Sequence, residues 1–189
     1  MIYQCEIYIS QIGDDFVNDT KIIFKKIACK GKYSDDQAIP DVIAYIMNSN
    51  KTPSKIIYGV CADMDNIAES MIKVSKDYKK YTRLRLHHFV LTFEPEYKTQ
   101  HKLLKKIARR ICDLFGRAYQ IVSVLHEDTK NPHIHFVFNA VSFVNGYKYR
   151  GGKKEYAELI KNINRILYIY DLPFVIPVKY IPTPLDLHE

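Results

Sequence analysis

His126-Glu127-Asp128-Thr129-Lys130-Asn131-Pro132-His133-Ile134-His135-Phe136-Val137-Phe138-Asn139 is the stretch on which the reading of this chain turns. On a strand, side chains alternate between faces, so His133 and His135 point one way while Ile134, Phe136 and Phe138 point into a core behind them. Residues 119–126 are also strand-like. The six-residue link Glu127 to Pro132 predicts an antiparallel hairpin that brings His126 back toward the pair. Three imidazoles with an open position suit a catalytic divalent metal that must still receive a substrate oxygen. A lone His on a strand is ordinarily just a half-exposed residue, and His-x-His pairs arise by chance. The third His, with Asp128 and Asn131 beside it, lifts this segment above that background. Asp128 either orients an imidazole, takes up a proton, or merely forms the turn.

Working outward, partial alternation predicts strands over 2–10 and 20–28, and residues 57–61 read as a short strand. Pro40 and Asp41 open a helix with the stripe Ile39, Ile43, Ile46 and Met47, stopped by Asn48-Ser49-Asn50. Tyr45 lies about 200° around that helix from Ile43, pointing away from the stripe. Asp63 or Asp65 is expected to cap a helix running to about Lys80. Phe89, Leu91 and Phe93 alternate with His88, Val90 and Thr92 as in a half-buried strand that Pro95 closes. Residues 99–115 form an amphipathic helix ended by Gly116, with Lys102, Lys105, Lys106, Arg109 and Arg110 on its outer face. After an Asn145-Gly146 turn, a helix is expected over 153–170 and an edge strand over 174–180. Strands and helices alternate without a regular βαβ rhythm. The predicted fold is therefore α+β, a central antiparallel sheet flanked by helices, in a single domain over 1–189.

Composition agrees. With 189 residues and 47% hydrophobic content the chain can bury one sizeable core. A formal charge of +7, from 28 Lys and Arg against 21 Asp and Glu, favours a polyanionic partner. Cys5, Cys29, Cys61 and Cys112 are scattered without a CxxC pair, which argues against a disulfide scaffold or a thiolate zinc site. No apolar run approaches the ~20 residues of a membrane span and no secretory signal pattern opens the chain, so a cytoplasmic protein without membrane insertion is expected.

The pattern His-x-Asp-Thr-x-Asn-x-His-x-His-x-x-x-Asn, met at His126, Asp128, Thr129, Asn131, His133, His135 and Asn139, resembles the third motif of MOB-P plasmid-mobilisation relaxases, members of the HUH endonucleases. Val42 to Thr52, with Tyr45 ahead of Lys51-Thr52, is similar to the family's first motif. His88 to Pro95, containing Thr92, is similar to the strand between them. The resemblance implies a relaxase palm. It implies a tyrosine, Tyr45, attacking a scissile phosphodiester of single-stranded origin-of-transfer DNA to leave a 5′-phosphotyrosine and a free 3′ hydroxyl. It further implies a divalent cation on His126, His133 and His135, Mg²⁺ or Mn²⁺ first and Zn²⁺, Ni²⁺ or Co²⁺ as alternatives, with Asp128 as auxiliary acid or orienting group. Relaxosome accessory and coupling proteins would be partners. Physically, a phenol with a pKa of about 10 is a poor nucleophile at neutral pH, and the transition state needs positive charge beside its phosphoryl oxygens.

DNA contacts are expected from Lys51, Thr52, Thr92, Asn131 and Asn139, and from the loop Tyr147-Lys148-Tyr149-Arg150-Gly151-Gly152-Lys153-Lys154, which interleaves aromatics with cations as a stacking and phosphate-gripping segment would. Lys76, Lys79, Lys80, Arg83 and Arg85 form a second basic cluster. Two alternatives stand beside the relaxase. One is a replication initiator or transposase whose tyrosine follows the histidines, for which Tyr156 is the candidate. The other is a DNA-binding accessory protein without turnover.

Overall fold

Among the described residues, period-two runs of β-branched and aromatic residues build a six-stranded sheet in the order β2-β4-β5-β3-β1-β6. Its strands are β1 (Ile22–Ile27), β2 (Ile57–Val60), β3 (Leu86–Thr92), β4 (Ile121–His126), β5 (His133–Asn139) and β6 (Val175–Val178). The computed structural model describes residues 21–27, 37–51, 57–82 and 84–178, so the strand expected over 2–10 lies outside them. Five strands form an antiparallel sheet, and β6 adds to the β1 edge in parallel, as the expected edge strand. The hairpin of β4 and β5 is present, with His126 directly opposite His133.

Helices cover both faces. On one side α1 (Ala38–Ile46) and α2 (Ile67–Asp77) close a core of Ile39, Ile46, Met71, Leu86, Val122, Val124 and Val137. On the other, α3 (His101–Phe115) and α4 (Lys153–Tyr168) close a larger core containing Phe24, Phe89, Phe136 and Phe138. Phe89 and Phe136 stack there with ring centroids 4.7 Å apart. This two-sided cover corrects the reading of 84–93 as half-buried: β3 lies between β5 and β1 under helices on both faces, and Leu86 through Leu91 are all buried.

Helix starts also differ from expectation. Pro40 sits inside the first turn of α1, where its missing N–H would have had no intrahelical acceptor. The second helix begins at Ile67, not at Asp63 or Asp65, because Asp63 is used one turn earlier: its carboxylate accepts from the Asp65 N–H at 3.1 Å and its carbonyl from Asn66 at 3.2 Å. At the Asn145-Gly146 turn, Gly146 has φ +67° and its Cα faces the Tyr78 ring so closely that a Cβ would overlap it.

Candidate metal centre and nucleophile

The strand alternation sets the site. Val122, Val124 and Val137 line the core under α1 and α2, so His126 on β4 and His133 and His135 on β5 project from that same face. The hairpin register brings them together: ring centroids are 4.3 Å apart for His126 and His135, 5.1 Å for His133 and His135, and 5.3 Å for His126 and His133. One nitrogen from each ring can be chosen so that all lie within 4.8 Å of one another, a spacing suited to a shared cation.

Hydrogen bonds orient the rings. A carbonyl can only accept, so His126 donates Nε2–H to Ile46 O at 2.8 Å and His133 donates Nδ1–H to Asn131 O at 3.1 Å. That leaves lone pairs on His126 Nδ1 and His133 Nε2. His126 Nδ1 and His135 Nε2 are buried and have no hydrogen-bond partner among the described residues. Buried ring nitrogens without a partner are costly unless a ligand occupies them. The donor set therefore fits a divalent cation.

Burial also favours the neutral, ligating form. Desolvation pushes His126 and His133 below the ordinary imidazole value and His135 well below it; Lys51 adds to the effect at all three and neighbouring imidazoles at His126 and His135, while carbonyl hydrogen bonds and Asp128 partly oppose it at His126 and His133. The same cause brings His88 to about 3 and His87 to about 4. A ring buried neutral in the fold but protonated when unfolded contributes stability that is full above 6.5 and lost as pH falls toward the folded value. At pH 5, roughly 1.5 units below the unfolded value, His87 and His88 should each withdraw about 2 kcal/mol. Denaturant midpoints at pH 7.5 and 5.0 should show a large acid loss, and His87→Gln should remove part of it.

Tyr45 is delivered by α1. The helix C-terminus is tied to the hairpin by the His126 bond to Ile46, and the following turn by the Glu127 N–H bond to Lys51 O at 2.9 Å. The Tyr45 ring consequently lies 5.7 Å from the His135 ring and 6.1 Å from the His126 ring, and Lys51 Nζ sits 4.0 Å above it. The tyrosine is half-buried on the rim of the helix, beside the buried Ile46. Of the expected stripe only Ile39 and Ile46 are fully buried; Ile43 and Met47 are partly covered.

The loop of residues 127–132 is clamped at each end. Lys98 Nζ donates to Thr129 O at 2.9 Å, Thr129 Oγ1 to Asn131 O at 2.8 Å, Asn131 Nδ2 to Phe93 O at 3.0 Å, and Phe93 N to Pro132 O at 2.9 Å. Asn131 thus acts first as a clasp, its side chain occupied by the end of β3. Asp128 Oδ1 is 4.0 Å from His133 Nε2, too far for a hydrogen bond. The imidazoles are oriented by main-chain carbonyls and by His88 instead, which leaves Asp128 as a carboxylate beside the site.

Thr92 sits opposite His133, at the histidine end of β3. Thr52 and Arg83 lie outside the described residues. The other expected DNA contacts are not brought to the imidazoles. Asn139 ends β5 six residues beyond His133, about 20 Å along an extended strand. It is 0% exposed and its amide is saturated, donating to Met71 O and Gln120 Oε1 and accepting from Ser75 Oγ and Val141 N. This corrects its reading as a DNA contact: the side chain ties α2 to the sheet.

Lys148 reaches the carbonyls of Lys80 and Thr82, and desolvation lowers its pKa. It pins the turn rather than presenting a free cation. Arg150, Lys153 and Lys154 are exposed at that same far end of the sheet. The basic face of α3 belongs to the helix layer on the side opposite the histidines. Tyr156 is in that layer too, edge-on to Phe24 at 5.6 Å, with the sheet between it and the imidazoles. Arg85, expected in a surface cluster, is buried with its guanidinium 3.6 Å from the Tyr81 ring centroid.

Two contributors escaped the sequence reading. His88 shares a face with Leu86 and Val90, a signal that the period-two pattern carries, and Lys98 offers no sequence signal of its role. No helix among the described residues is long and apolar enough to cross a membrane. Neither the comparison with curated proteins nor that with solved structures gives a match. The family model of the relaxase MobA/VirD2-like nuclease domain matches residues 45–172, more than half of the chain. That match starts at Tyr45 and takes in every histidine of the cluster, so the chain belongs to the MobA/VirD2-like relaxases and is built on their DNA-nicking nuclease domain.

Proposed function

We propose that this relaxase cleaves one strand at an origin of transfer by transesterification, with Tyr45 as nucleophile. The observation that carries the reading is the Tyr45 ring lying 5.7 Å and 6.1 Å from two of the three clustered imidazoles. The phenolic oxygen forms a bond to the scissile phosphorus, the bond from phosphorus to the 3′ oxygen breaks, and the phenol's proton passes to a base while the departing 3′ oxygen takes one up. Asp128 is the carboxylate assigned to that exchange. Lys51, stacked on the ring, favours the developing phenolate and a nearby phosphate. Resealing is the same displacement run backward with the 3′ hydroxyl as nucleophile.

His126, His133 and His135 would hold a divalent cation, which would supply positive charge to a transition state that builds negative charge on the phosphoryl oxygens. Three nitrogen donors suit Mn²⁺ or another first-row ion better than Mg²⁺, whose preference is for oxygen. The placement of the half-buried Tyr156 against Phe24, on the other side of the sheet from the imidazoles, weighs against the replication-initiator alternative. The single strand would enter at the Lys51 and Thr92 end, and relaxosome accessory and coupling proteins would present it; residues 1–189 are read as one such domain. Mapping the covalent DNA adduct by mass spectrometry tests the reading directly, with Tyr45 as the expected site and an adduct on Tyr156 as the result that would replace it.

Arg150, Lys153 and Lys154 are proposed as distal phosphate contacts, since they are exposed while Lys148 is pinned. Replacing all three by Ala should lower the slope of log K against log salt by about 2, at roughly 0.7 per phosphate contact on a single strand. An unchanged slope in a binding titration removes them from the DNA path.

A further inference from the structure

Two of the site imidazoles are oriented by main-chain carbonyls, but His135 is not. Its Nδ1 lies 2.7 Å from Nε2 of His88, and both rings are buried. His88 arrives from the neighbouring strand β3, opposite Val137 and two residues along from His135, on the face that carries the site. Ligating histidines are ordinarily fixed by a carboxylate, a carbonyl or water on the second nitrogen. Here a second imidazole takes that place.

A carbonyl dictates the tautomer of its partner because it can only accept. An imidazole nitrogen can accept or donate, so by itself it leaves both directions open. Were His88 the donor, the His135 proton would sit on Nε2, a buried nitrogen that has no acceptor among the described residues. With His88 accepting, the Nε2 lone pair of His135 is free for a cation shared with His126 and His133, the partners that complete the cluster.

We propose that His88 is a positioning residue: its neutral ring accepts the Nδ1–H of His135, fixes the Nε2 lone pair toward the cluster, and so sets the cation affinity of the centre. This rests on the three-imidazole metal site proposed above. Glutamine offers a rescue, because its Oε1 can be placed near the position of the histidine Nε2 and can only accept.

Mn²⁺ affinity by titration calorimetry should weaken about 10–100-fold in His88→Leu and return to within a few-fold of wild type in His88→Gln. Long-range ¹H–¹⁵N spectra of the metal-free wild type should place the His135 proton on Nδ1. A folded His88→Leu with wild-type affinity, an equal loss in both variants, or a proton on His135 Nε2 overturns the assignment. If His88→Leu does not fold, the wild-type tautomer and His88→Gln decide the matter. Wild-type protein that takes up no Mn²⁺ sinks the metal site itself, whereas wild-type and leucine proteins that bind equally sink only the role of His88.

Discussion

Tyr45→Phe should abolish the covalent adduct with origin DNA and lower strand cleavage by on the order of 10⁴-fold or more, the scale of losing a nucleophile from a concerted site. The substitution removes one oxygen and nothing else. The ring keeps its contacts with His126 and His135 and its stacking under Lys51. Stability should therefore stay within about 0.5 kcal/mol of wild type, and Mn²⁺ uptake should be unchanged. A denaturing gel with labelled single-stranded DNA reads the adduct, and a calorimetric titration on the same sample reads the metal. Tyr156→Phe is the matched control: that ring packs on Phe24 across the sheet, and adduct formation should survive its change. Undiminished adduct in Tyr45→Phe would remove the proposed nucleophile whatever else the site contains.

The face of each strand was legible because a period of two leaves no ambiguity once β4 and β5 are paired. His126, His133 and His135 could be assigned to one side from spacing alone, and the valines beside them identify the face that α1 and α2 cover. Spacing along the strand, about 3.3 Å per residue, separates residues that share one motif. Asn139 shares the face of His133 and completes the same motif, yet it lies at the opposite end of β5, where its amide closes a buried network with Met71, Gln120 and Ser75. Proximity in a motif implied proximity to the chemistry, and the extended backbone denies it.

Tyr45 was the reverse case. Its helical phase and the Lys51-Thr52 that follows single it out only weakly among the chain's 15 tyrosines; its position depends on the end of α1 bonding to His126, a contact across 80 residues of sequence. Asp63 shows why helix starts blur: a carboxylate that could cap a helix can equally close the preceding turn, and tertiary packing chooses. The two-sided burial of β3 was hidden because His87 and His88 look like exposed residues. Each is instead satisfied inside, His87 on Tyr149 O and His88 on His135.

His135→Ala should separate the metal from the fold. Among the three proposed ligands it is the ring closest to Tyr45 and the one bonded to His88, so its loss removes a donor and unfixes a neighbour together. Cleavage should fall by on the order of 10³-fold or more, since positive charge held beside the phosphoryl oxygens provides much of the rate acceleration in such reactions. For wild type, Mn²⁺ at about 100 times its dissociation constant should raise stability by about 2.7 kcal/mol, and a chelator should reverse that gain. His135→Ala should show no such gain at the same concentration. The pH dependence carries the sign of the buried rings: because burial holds the pKa of His126, His133 and His135 below 6.5, protons should begin to compete for the ligand nitrogens only on the acid side of that value. Metal-induced stabilisation should thus persist from pH 8 down to about 6.5 and fade below it. If Mn²⁺ stabilises His135→Ala as much as wild type, the cation binds elsewhere, and the cluster at the mouth of the hairpin loses its assigned role.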